Sequence, residues 1–436
     1  MKRRELLGVP GLALAQTATP RRGLPPLKIT DVKVICTNPP YRDGAISTMQ
    51  RLVIAKVETS EPGLYGLGCA SFVLRPAAVA TFIEKYLKPF VIGKNPDMVS
   101  DLYHSMNVSG LWRGGPVENY AVAGIDVALW DIKAKRANMP LYELLGGKMR
   151  AAAHCYGDAG GNTGEEMADS VQKALAAGYT HVRLNYRGSK VNPTPALSGM
   201  PLGTSLGSDP VIDPDEWGRE IPKIFEHVRK VVGDKPELMQ HLHGQLPPIT
   251  AIQIVKRLEP LRPYFFEDPF YPEDISYLKI LRPQTSVPIA IGEKFANRHD
   301  YADLVTNQLL DFIRVHIPTI GGLTMAHKLA ALGAWFNVRT AWHAPGDLSP
   351  VGHAVNGHLD LAAPNFGIQE GAFLPSDAVR EIFPGTPEIR KGYLFLNEAP
   401  GHGVDLDERA AAKYPCSMQD GNFGPKRFPN GSIVSN

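Results

Sequence analysis

The feature that most constrains the fold is a regular alternation of short apolar segments and helical segments after Gly147. Eight apolar segments have the length of strands, and most are separated by one helical stretch: residues 153–157, 180–185, 237–243, 264–269, 287–293, 311–317, 338–343 and 365–370. Eight such units over about 220 residues are what a parallel (β/α)8 barrel requires. A doubly wound open sheet is the alternative, but no G-x-G-x-x-G motif follows an early strand. The pattern therefore favours an α/β barrel.

The residues before this alternation are organised differently. Two alternating apolar runs, 27–37 and 51–59, predict strands of an antiparallel sheet, and helical patterns follow. We expect an α+β domain over residues 28–150 and the barrel over residues 151–385. The loop-rich residues 386–436 form a C-terminal segment that we expect to pack on the first domain or against a partner.

Residues 1–27 are excluded from the fold prediction because they resemble a targeting segment or an unstructured tail. Three basic residues at 2–4 precede a short apolar stretch and an Ala-Leu-Ala sequence at 13–15, as in a twin-arginine export signal. Gly8, Pro10 and Gly11 interrupt the apolar stretch. Export to the periplasm and a cytoplasmic protein with a frayed N-terminus are equally good interpretations.

Charge and cysteine content exclude several classes of function. The 46 Lys and Arg residues nearly balance the 44 Asp and Glu residues, so no strong field favours nucleic acid. No apolar run approaches the length of a membrane span. The four cysteines, at 36, 69, 155 and 416, are far apart and predict isolated buried thiols rather than disulfides or a thiolate metal site. We expect a small-molecule ligand and a homo-oligomer.

Polar residues follow three successive predicted strands at equal spacing. His241, Glu267 and Glu293 are separated by 26 residues each, which is one βα unit per step. Active sites of such barrels lie where the strands end, so these side chains would lie side by side. Two carboxylates and an imidazole that converge need a cation to relieve the repulsion between the acids. For each residue alone, a solvated strand end or a pair with a nearby lysine is the plainer interpretation.

Other strand ends carry residues suited to acid–base work or to anion binding. His343 ends strand 7 and can exchange a proton near neutral pH, although a structural hydrogen bond to Asp347 is the alternative. Glu370 ends strand 8. Strand 2 carries Arg183, and Tyr186 follows it at the mouth of a long loop. The permanent positive charge of Arg183 suits a carboxylate ligand or a salt bridge.

One connection is unusually long. Residues 187–213 are rich in Gly, Pro and Ser and have no helical period. A loop of this length inside a compact domain is typical of a lid or a binding loop, and a passive surface insertion is the alternative.

The chain resembles the enolase superfamily in six segments: GIDVALWDIKAKRANMPLYELLGG, FFEDP, PIAIGE, DFIRV with GGLT after it, HAPGDLSP and PNFGIQE. Within the mandelate racemase/muconate lactonizing enzyme group, it is most similar to sugar-acid dehydratases of the mannonate and galactonate type. The resemblance implies a capping α+β domain, a modified TIM barrel of the (β/α)7β form and one Mg²⁺. It implies a lyase that abstracts the proton α to a carboxylate, forms an enediolate held on the metal, and eliminates the β-hydroxyl to give a 2-keto-3-deoxy sugar acid.

The resemblance also implies roles for individual residues. Metal ligands would be His241, Glu267 and Glu293. His243 would be the acid that assists hydroxide departure, and His343 the strand-7 catalytic histidine. Arg183 matches an arginine that serves as base together with a loop tyrosine, for which Tyr186 is the candidate here. The substrate-binding candidates are Glu370, Asp347, Asn38, Trp112 and Arg113.

Three departures from the family pattern bear on activity. The strand-3 ligand of the family is aspartate, and His241 in its place makes Mn²⁺, Fe²⁺ or Zn²⁺ an alternative to Mg²⁺. His316 replaces the aspartate that pairs with the strand-7 histidine. The family's loop tyrosine has no clear match, and the terminal GSIVSN lacks an expected tryptophan.

Two other functions therefore remain open at this point. One is an epimerase or racemase, with Arg183 or Tyr186 opposite His343. The other is a non-catalytic relative that binds a sugar acid. If the protein is a dehydratase, an epimerase or a racemase, we expect one divalent ion to bind and the substitution His241→Ala to remove it.

Overall fold

A computed structural model describes residues 25–40, 51–186, 188, 190–191, 211–346, 348–372 and 374–416. The export-like N-terminus, most of the 187–213 insertion, Asp347 and the terminal GSIVSN lie outside the described residues. Among the helices that the structure describes, none is both long enough and apolar enough to cross a membrane.

The first domain is a three-stranded antiparallel sheet with helices packed on it. Its strands are β1 Ile29–Thr37, β2 Leu52–Thr59 and β3 Tyr65–Cys69, in the order β1-β2-β3. Its helices are α1 Pro76–Phe82, α2 Lys88–Val91, α3 Val99–Asn107, α4 Pro116–Arg136 and α5 Leu141–Leu144, with a π-helical turn at Ile83–Leu87. Glycine in β3 lets α4 pack closely, since a Cβ on Gly68 would lie 1.8 Å from the carbonyl oxygen of Gly124.

The second domain is a barrel of eight parallel strands. They are β4 Ala153–Gly161, β5 His181–Tyr186, β8 Glu237–His241, β9 Phe266–Glu267, β10 Ile289–Ile291, β11 Phe312–Ile313, β12 Arg339–Thr340 and β13 Gln369–Glu370. Neighbouring strands pair in that order from β4 to β12, and β13 pairs with β4. A bridge between Thr340 and Phe366 joins β12 to the chain before β13, so the barrel closes.

Seven helices connect the barrel strands, which is the (β/α)7β form. They are α6 Gly164–Ala176, α7 Pro214–Val232, α8 Pro248–Leu258, α9 Leu278–Leu281, α10 Arg298–Thr306, α11 Leu323–Trp335 and α12 Pro350–Ala362. Short strands β6 Lys190–Val191 and β7 Val211–Ile212 pair antiparallel where the long insertion leaves and rejoins the barrel. The predicted α/β fold, a modified TIM barrel with an N-terminal α+β capping domain, is confirmed.

The capping domain is joined to the barrel by hydrogen bonds from α4. The Asp126 carboxylate accepts hydrogen bonds from the backbone N–H and the hydroxyl of Thr324, at 2.8 and 2.5 Å. The Asn119 amide donates to the carbonyls of Ala296 and Thr319, in the loops after β10 and β11. Helix α4 therefore holds the capping domain over the C-terminal ends of the barrel strands.

The C-terminal segment contacts both domains. Helix α13 Asp377–Ile382 leads to a hairpin of β14 Glu388–Arg390 and β15 Tyr393–Phe395, and β15 pairs antiparallel with β4. Beyond it, α14 Glu408–Ala411 lies on the capping domain, where Glu408 pairs with Lys56. The imidazole of His402, which is buried, contacts the carbonyl of Leu67.

The expectation of four isolated thiols was wrong for two of them. Cys36 and Cys416 form a disulfide, whereas Cys69 and Cys155 are buried free thiols. Thr37 forms an antiparallel bridge with Pro415, so the residue before Thr37 and the residue after Pro415, which are the two cysteines, lie opposite one another. A separation of 380 residues hides this register from any inspection of cysteine spacing.

Candidate active site

Polar side chains from all eight strands, or from the residues just after them, meet at one end of the barrel. In parallel strands the carboxyl ends lie on the same rim, so residues at or just after those ends become neighbours. The group comprises Asp158, Arg183, His241, Glu267, Glu293, Arg314, His343 and Glu370, and ion pairs connect its members. The three residues with 26-residue spacing belong to this group, as the sequence predicts.

Arg183 is held by three carboxylates. Its guanidinium lies 2.8 Å from Asp158, 2.7 Å from Glu267 and 2.8 Å from Glu370. Burial alone would lower the pKa of Arg183, but these carboxylates raise it well above its ordinary value. The guanidinium is therefore a permanent cation, and this geometry does not fit the predicted role of a base.

Arg314 is a second buried cation in the same cluster. Its side chain is fully buried, and its guanidinium lies 2.9 Å from Glu267, 3.1 Å from Glu370 and 3.8 Å from Glu293. Burial would raise the pKa of Glu370, but the two arginines lower it to about 2. The two guanidiniums thus keep these buried carboxylates ionised.

Two imidazoles flank Glu293. Nε2 of His243 lies 2.6 Å from Oε1 of Glu293, and Nε2 of His343 lies 3.4 Å from Oε2. The other ring nitrogen of His343, Nδ1, is 3.1 Å from Nδ1 of His316. Burial lowers the pKa of His343 to about 4, so this imidazole is neutral near pH 7 and can accept a proton.

A cluster of carboxylates at this rim fits a divalent cation. One oxygen from each of Glu267, Asp268 and Glu293 lies within 4.8 Å of the other two. Oδ2 of Asp268 is buried and has no hydrogen-bond partner, which is costly for a carboxylate unless a cation approaches it. Within the described part of the chain, no other three His, Cys, Asp or Glu side chains form such a group.

The balance of charges around this rim also favours a divalent cation. At full charge, five carboxylates face three cations, a deficit of two positive charges: Asp158, Glu267, Asp268, Glu293 and Glu370 against Arg183, Lys294 and Arg314. A single divalent ion would balance that deficit. The donor set consists of hard oxygen atoms, which suits Mg²⁺.

His241 is placed differently from the sequence prediction. Its Nδ1 lies 2.7 Å from Oε1 of Glu267, and it does not belong to the group of ligand atoms shared by Glu267, Asp268 and Glu293. Burial lowers the pKa of His241, so the ring is neutral near pH 7. The structure therefore pairs His241 with Glu267, one of the other two predicted ligands, and does not group all three predicted ligands around one point.

Tyr186 lies outside this cluster, and its assignment as a catalytic residue stays a prediction. Successive side chains of a strand point to opposite faces, so Tyr186 faces the helical layer while Arg183 faces the rim. The Tyr186 hydroxyl donates to Glu216 at the start of α7, and its ring packs on Trp217. Strand alternation would have indicated this orientation from the sequence.

The predicted substrate-binding residues Trp112, Arg113 and Asn38 belong to the capping domain and not to the barrel strands. Trp112 and Arg113 lie on the α3–α4 connection, and the Trp112 side chain is 84% exposed. Arg113 lines a cleft of about 290 Å³ with Arg298 and His299. The backbone N–H of Asn38 donates to the carbonyl of Tyr414. Their assignment as substrate contacts stays a prediction.

Sequence reasoning missed three residues of the site. Asp158 precedes small residues on β4, Asp268 adjoins a predicted ligand, and Arg314 lies within an apolar run. A buried arginine in a strand that is otherwise apolar is itself a signal, because such a charge needs partners. That signal, applied to Arg314, would have indicated the carboxylates around it.

Comparisons with known proteins agree with this fold and site. The family model described as the mandelate racemase/muconate lactonizing enzyme N-terminal domain matches residues 29–146. The model described as enolase C-terminal domain-like matches residues 166–410. The first match covers the sheet and helices of the capping domain. The second covers the barrel from α6 onward and continues into the C-terminal segment.

Similar sequences and solved structures identify the family within this superfamily. A D-galactonate dehydratase family member of Musicola paradisiaca is 44% identical over 420 residues, covering 93% of this chain and 98% of the relative. One from Pantoea ananatis is 44% identical over 421 residues, covering 93% and 99%. A crystal structure of an enolase from Pantoea ananatis with bound D-gluconate and Mg has a TM-score of 0.85 at 42% identity, covering 94% of this chain and 99% of that chain. The chain belongs to the enolase superfamily and, within its mandelate racemase/muconate lactonizing enzyme group, to the D-galactonate dehydratase family.

Proposed function

We propose that this protein is a metal-dependent dehydratase of a sugar acid. The observation that carries the proposal is the placement of two imidazoles, His243 and His343, on the two oxygens of Glu293 beside a cluster of three carboxylates. An acid and a base next to a cation site are what removal of an α-proton and a β-hydroxyl requires. The relative with bound D-gluconate and Mg supports a hexonate as the substrate class.

The metal would be held by carboxylates of the barrel rim, and Mg²⁺ suits their oxygen donors. When bound, it supplies positive charge against the substrate carboxylate as negative charge develops there. Lys294 also contributes positive charge: its ammonium donates to the carbonyl of His243 and lies 3.9 Å from Glu293. Because this rim is buried, these charges act with little screening by water.

His343 is the base in this proposal. It takes the proton from the carbon α to the carboxylate, and the electron pair of that C–H bond stays on the substrate. His243 gives a proton to the β-hydroxyl, whose C–O bond breaks, so that water leaves. The resulting enol takes up a proton at C3 from solvent and releases the proton of its C2 hydroxyl, which gives a 2-keto-3-deoxy acid.

Arg183 and Glu370 have supporting roles in this reaction. Arg183 keeps the rim carboxylates ionised and in place, as its three ion pairs require. Glu370 is fixed by both arginines and by the backbone N–H of Ala344, at 2.7 Å, and stays ionised as an acceptor for a substrate hydroxyl. An epimerase would need a second base on the opposite face, and neither the charged Arg183 nor the distant Tyr186 fits that role.

A screen of aldonic acids tests the function. Purified protein with Mg²⁺ is incubated with D-gluconate, D-mannonate, D-galactonate and their epimers, and 2-keto-3-deoxy products are measured as semicarbazones. We expect product from at least one acid, and none after EDTA treatment or in a His343→Asn variant. Absence of product with every acid in the presence of Mg²⁺ or Mn²⁺ would contradict the proposal.

We also propose that the protein is a homo-oligomer. Light scattering during gel filtration measures its oligomeric state.

A further inference from the structure

The position in which the family pattern places the third metal ligand is occupied here by His241. This inference rests on the proposed function, since it concerns the same ion. Nδ1 of His241 is directed at Oε1 of Glu267, and the same oxygen also accepts a hydrogen bond from Arg183 at 2.7 Å. His241 therefore contacts the Glu267 carboxylate, and it does not belong to the group of neighbouring ligand atoms that includes Glu293.

Asp268 is placed where a third anionic ligand is needed. Its side chain is 2% exposed, and one of its oxygens lies within 4.8 Å of ligand atoms from both Glu267 and Glu293. Oδ1 accepts a hydrogen bond from the backbone N–H of Gly292 at 3.0 Å, which orients the carboxylate. Oδ2 has no hydrogen-bond partner.

The backbone at Asp268 is also strained. Its φ of 41° lies in the left-handed region, which side chains other than glycine rarely adopt. Strain of this kind is costly and persists only where the surroundings hold the residue in place. A buried, unpartnered carboxylate oxygen on a strained residue, next to two other carboxylates, is explained if a cation binds there.

We propose that the metal ion is held by Glu267, Asp268 and Glu293, and that His241 is a positioning residue that orients Glu267. This ligand set contains only carboxylate oxygens. It therefore selects Mg²⁺ or Mn²⁺ over Zn²⁺, although a histidine stands at the strand-3 position. The expectation that His241→Ala removes the ion is replaced by the expectation that loss of Asp268 does so.

Titration calorimetry with Mn²⁺ tests the ligand set without a need for turnover. Asp268→Asn removes an anionic ligand, and we expect it to weaken Mn²⁺ binding at least about 100-fold. His241→Gln keeps a donor toward Glu267, and we expect less than about tenfold, the lower range for groups that support a ligand. Asp303→Asn, at an exposed carboxylate of α10, is the matched control and should leave the affinity unchanged.

Electron spin-echo spectroscopy of Mn²⁺ bound to the unaltered protein and to His241→Gln gives a second readout. It does not require Asp268→Asn to fold. We expect no imidazole nitrogen coupling that depends on His241. A coupling that His241→Gln removes, or a larger loss of affinity in His241→Gln than in Asp268→Asn, would overturn the inference and leave the proposed function standing. If the unaltered protein binds neither Mn²⁺ nor Mg²⁺, the proposed function fails as well.

Discussion

His343 is the side chain on which the proposed chemistry depends most. It is neutral near pH 7, it faces the carboxylates of Glu293 and Glu370, and its second nitrogen is engaged by His316. Among the described residues of the rim, Arg183 is a permanent cation and His241 is engaged by Glu267, so neither competes for the role of base.

Replacing His343 by asparagine should remove the base while keeping a polar side chain of similar size. We expect kcat to fall by about 10²–10⁴-fold, the range for loss of a general base. His227→Asn on α7, at a half-buried imidazole 4.0 Å from Glu165, is the control and should keep the activity of the unaltered protein. Turnover in His343→Asn within about threefold of that activity would assign the proton transfer to another group.

Replacing Arg314 by methionine should destabilise the fold strongly. The change leaves Glu267 and Glu370 without one of their two buried cations, and breaking such a pair costs about 3–5 kcal/mol. Lys413→Met removes an exposed ion pair with Glu381 and should change the free energy of unfolding by less than about 1 kcal/mol. Urea denaturation measures both values, and equal effects of the two substitutions would mean that the buried arginine is dispensable.

Equal spacing along the sequence predicted which residues reach the rim, but it could not predict how they pair. The interval of 26 residues places His241, Glu267 and Glu293 on adjacent strands because each interval contains one βα unit. The hydrogen bond from His241 to Glu267 depends on side-chain rotamers. The strained conformation of Asp268 depends on the packing of β9 against β10, and neither is encoded in spacing.

At the scale of elements, α4 connects the capping domain to the barrel through the Asn119 amide and one buried carboxylate, that of Asp126. Burial raises the pKa of Asp126 to about 7, although hydrogen bonds from Thr324 oppose the rise. The folded protein therefore binds this proton more tightly than the unfolded chain does. The stability that Asp126 contributes is fully present below the ordinary pKa of about 4 and is lost as the pH rises through about 7.

The variant Asp126→Asn should remove this pH dependence. Between pH 4 and pH 7 we expect the unaltered protein to lose up to about 4 kcal/mol of stability relative to the variant, at 1.36 kcal/mol per unit of pKa shift. The free energy of unfolding of both proteins, measured by urea denaturation at several pH values, tests this. Parallel pH profiles for the two proteins would show that Asp126 has an ordinary pKa.

The C-terminal segment is joined covalently to β1. Cross-linking Cys36 to Cys416 closes a loop of nearly the whole chain, and a cross-link of this kind stabilises a protein by about 2–4 kcal/mol. We expect two free thiols in the denatured, non-reduced protein and a lower melting temperature in dithiothreitol. Cys36→Ser should melt at the same temperature with and without the reductant. Four free thiols, or no effect of the reductant on the unaltered protein, would contradict the cross-link.

At the scale of the whole molecule, the two-domain architecture could be predicted from the sequence because hydrophobic patterning and motif order both depend on local residues. The alternation after Gly147 specified the barrel, and the strands between Ile29 and Thr59 indicated the sheet of the capping domain. The Cys36–Cys416 pairing could not be predicted, because it depends on where the C-terminal segment returns. The net charge of +2 likewise gives no indication of the rim, in which five carboxylates lie around three cations.

The central claim is that this rim, with one divalent ion bound, removes the α-proton of a sugar acid and then its β-hydroxyl. Proton NMR of D-gluconate and its epimers in D₂O with Mg²⁺ tests the claim most directly. We predict a 2-keto-3-deoxy acid from at least one of them, with deuterium at C3 and no product in His343→Asn. Exchange at the α-carbon without elimination would indicate an epimerase. Neither exchange nor product with any acid, in the presence of Mg²⁺ or Mn²⁺, would contradict the claim.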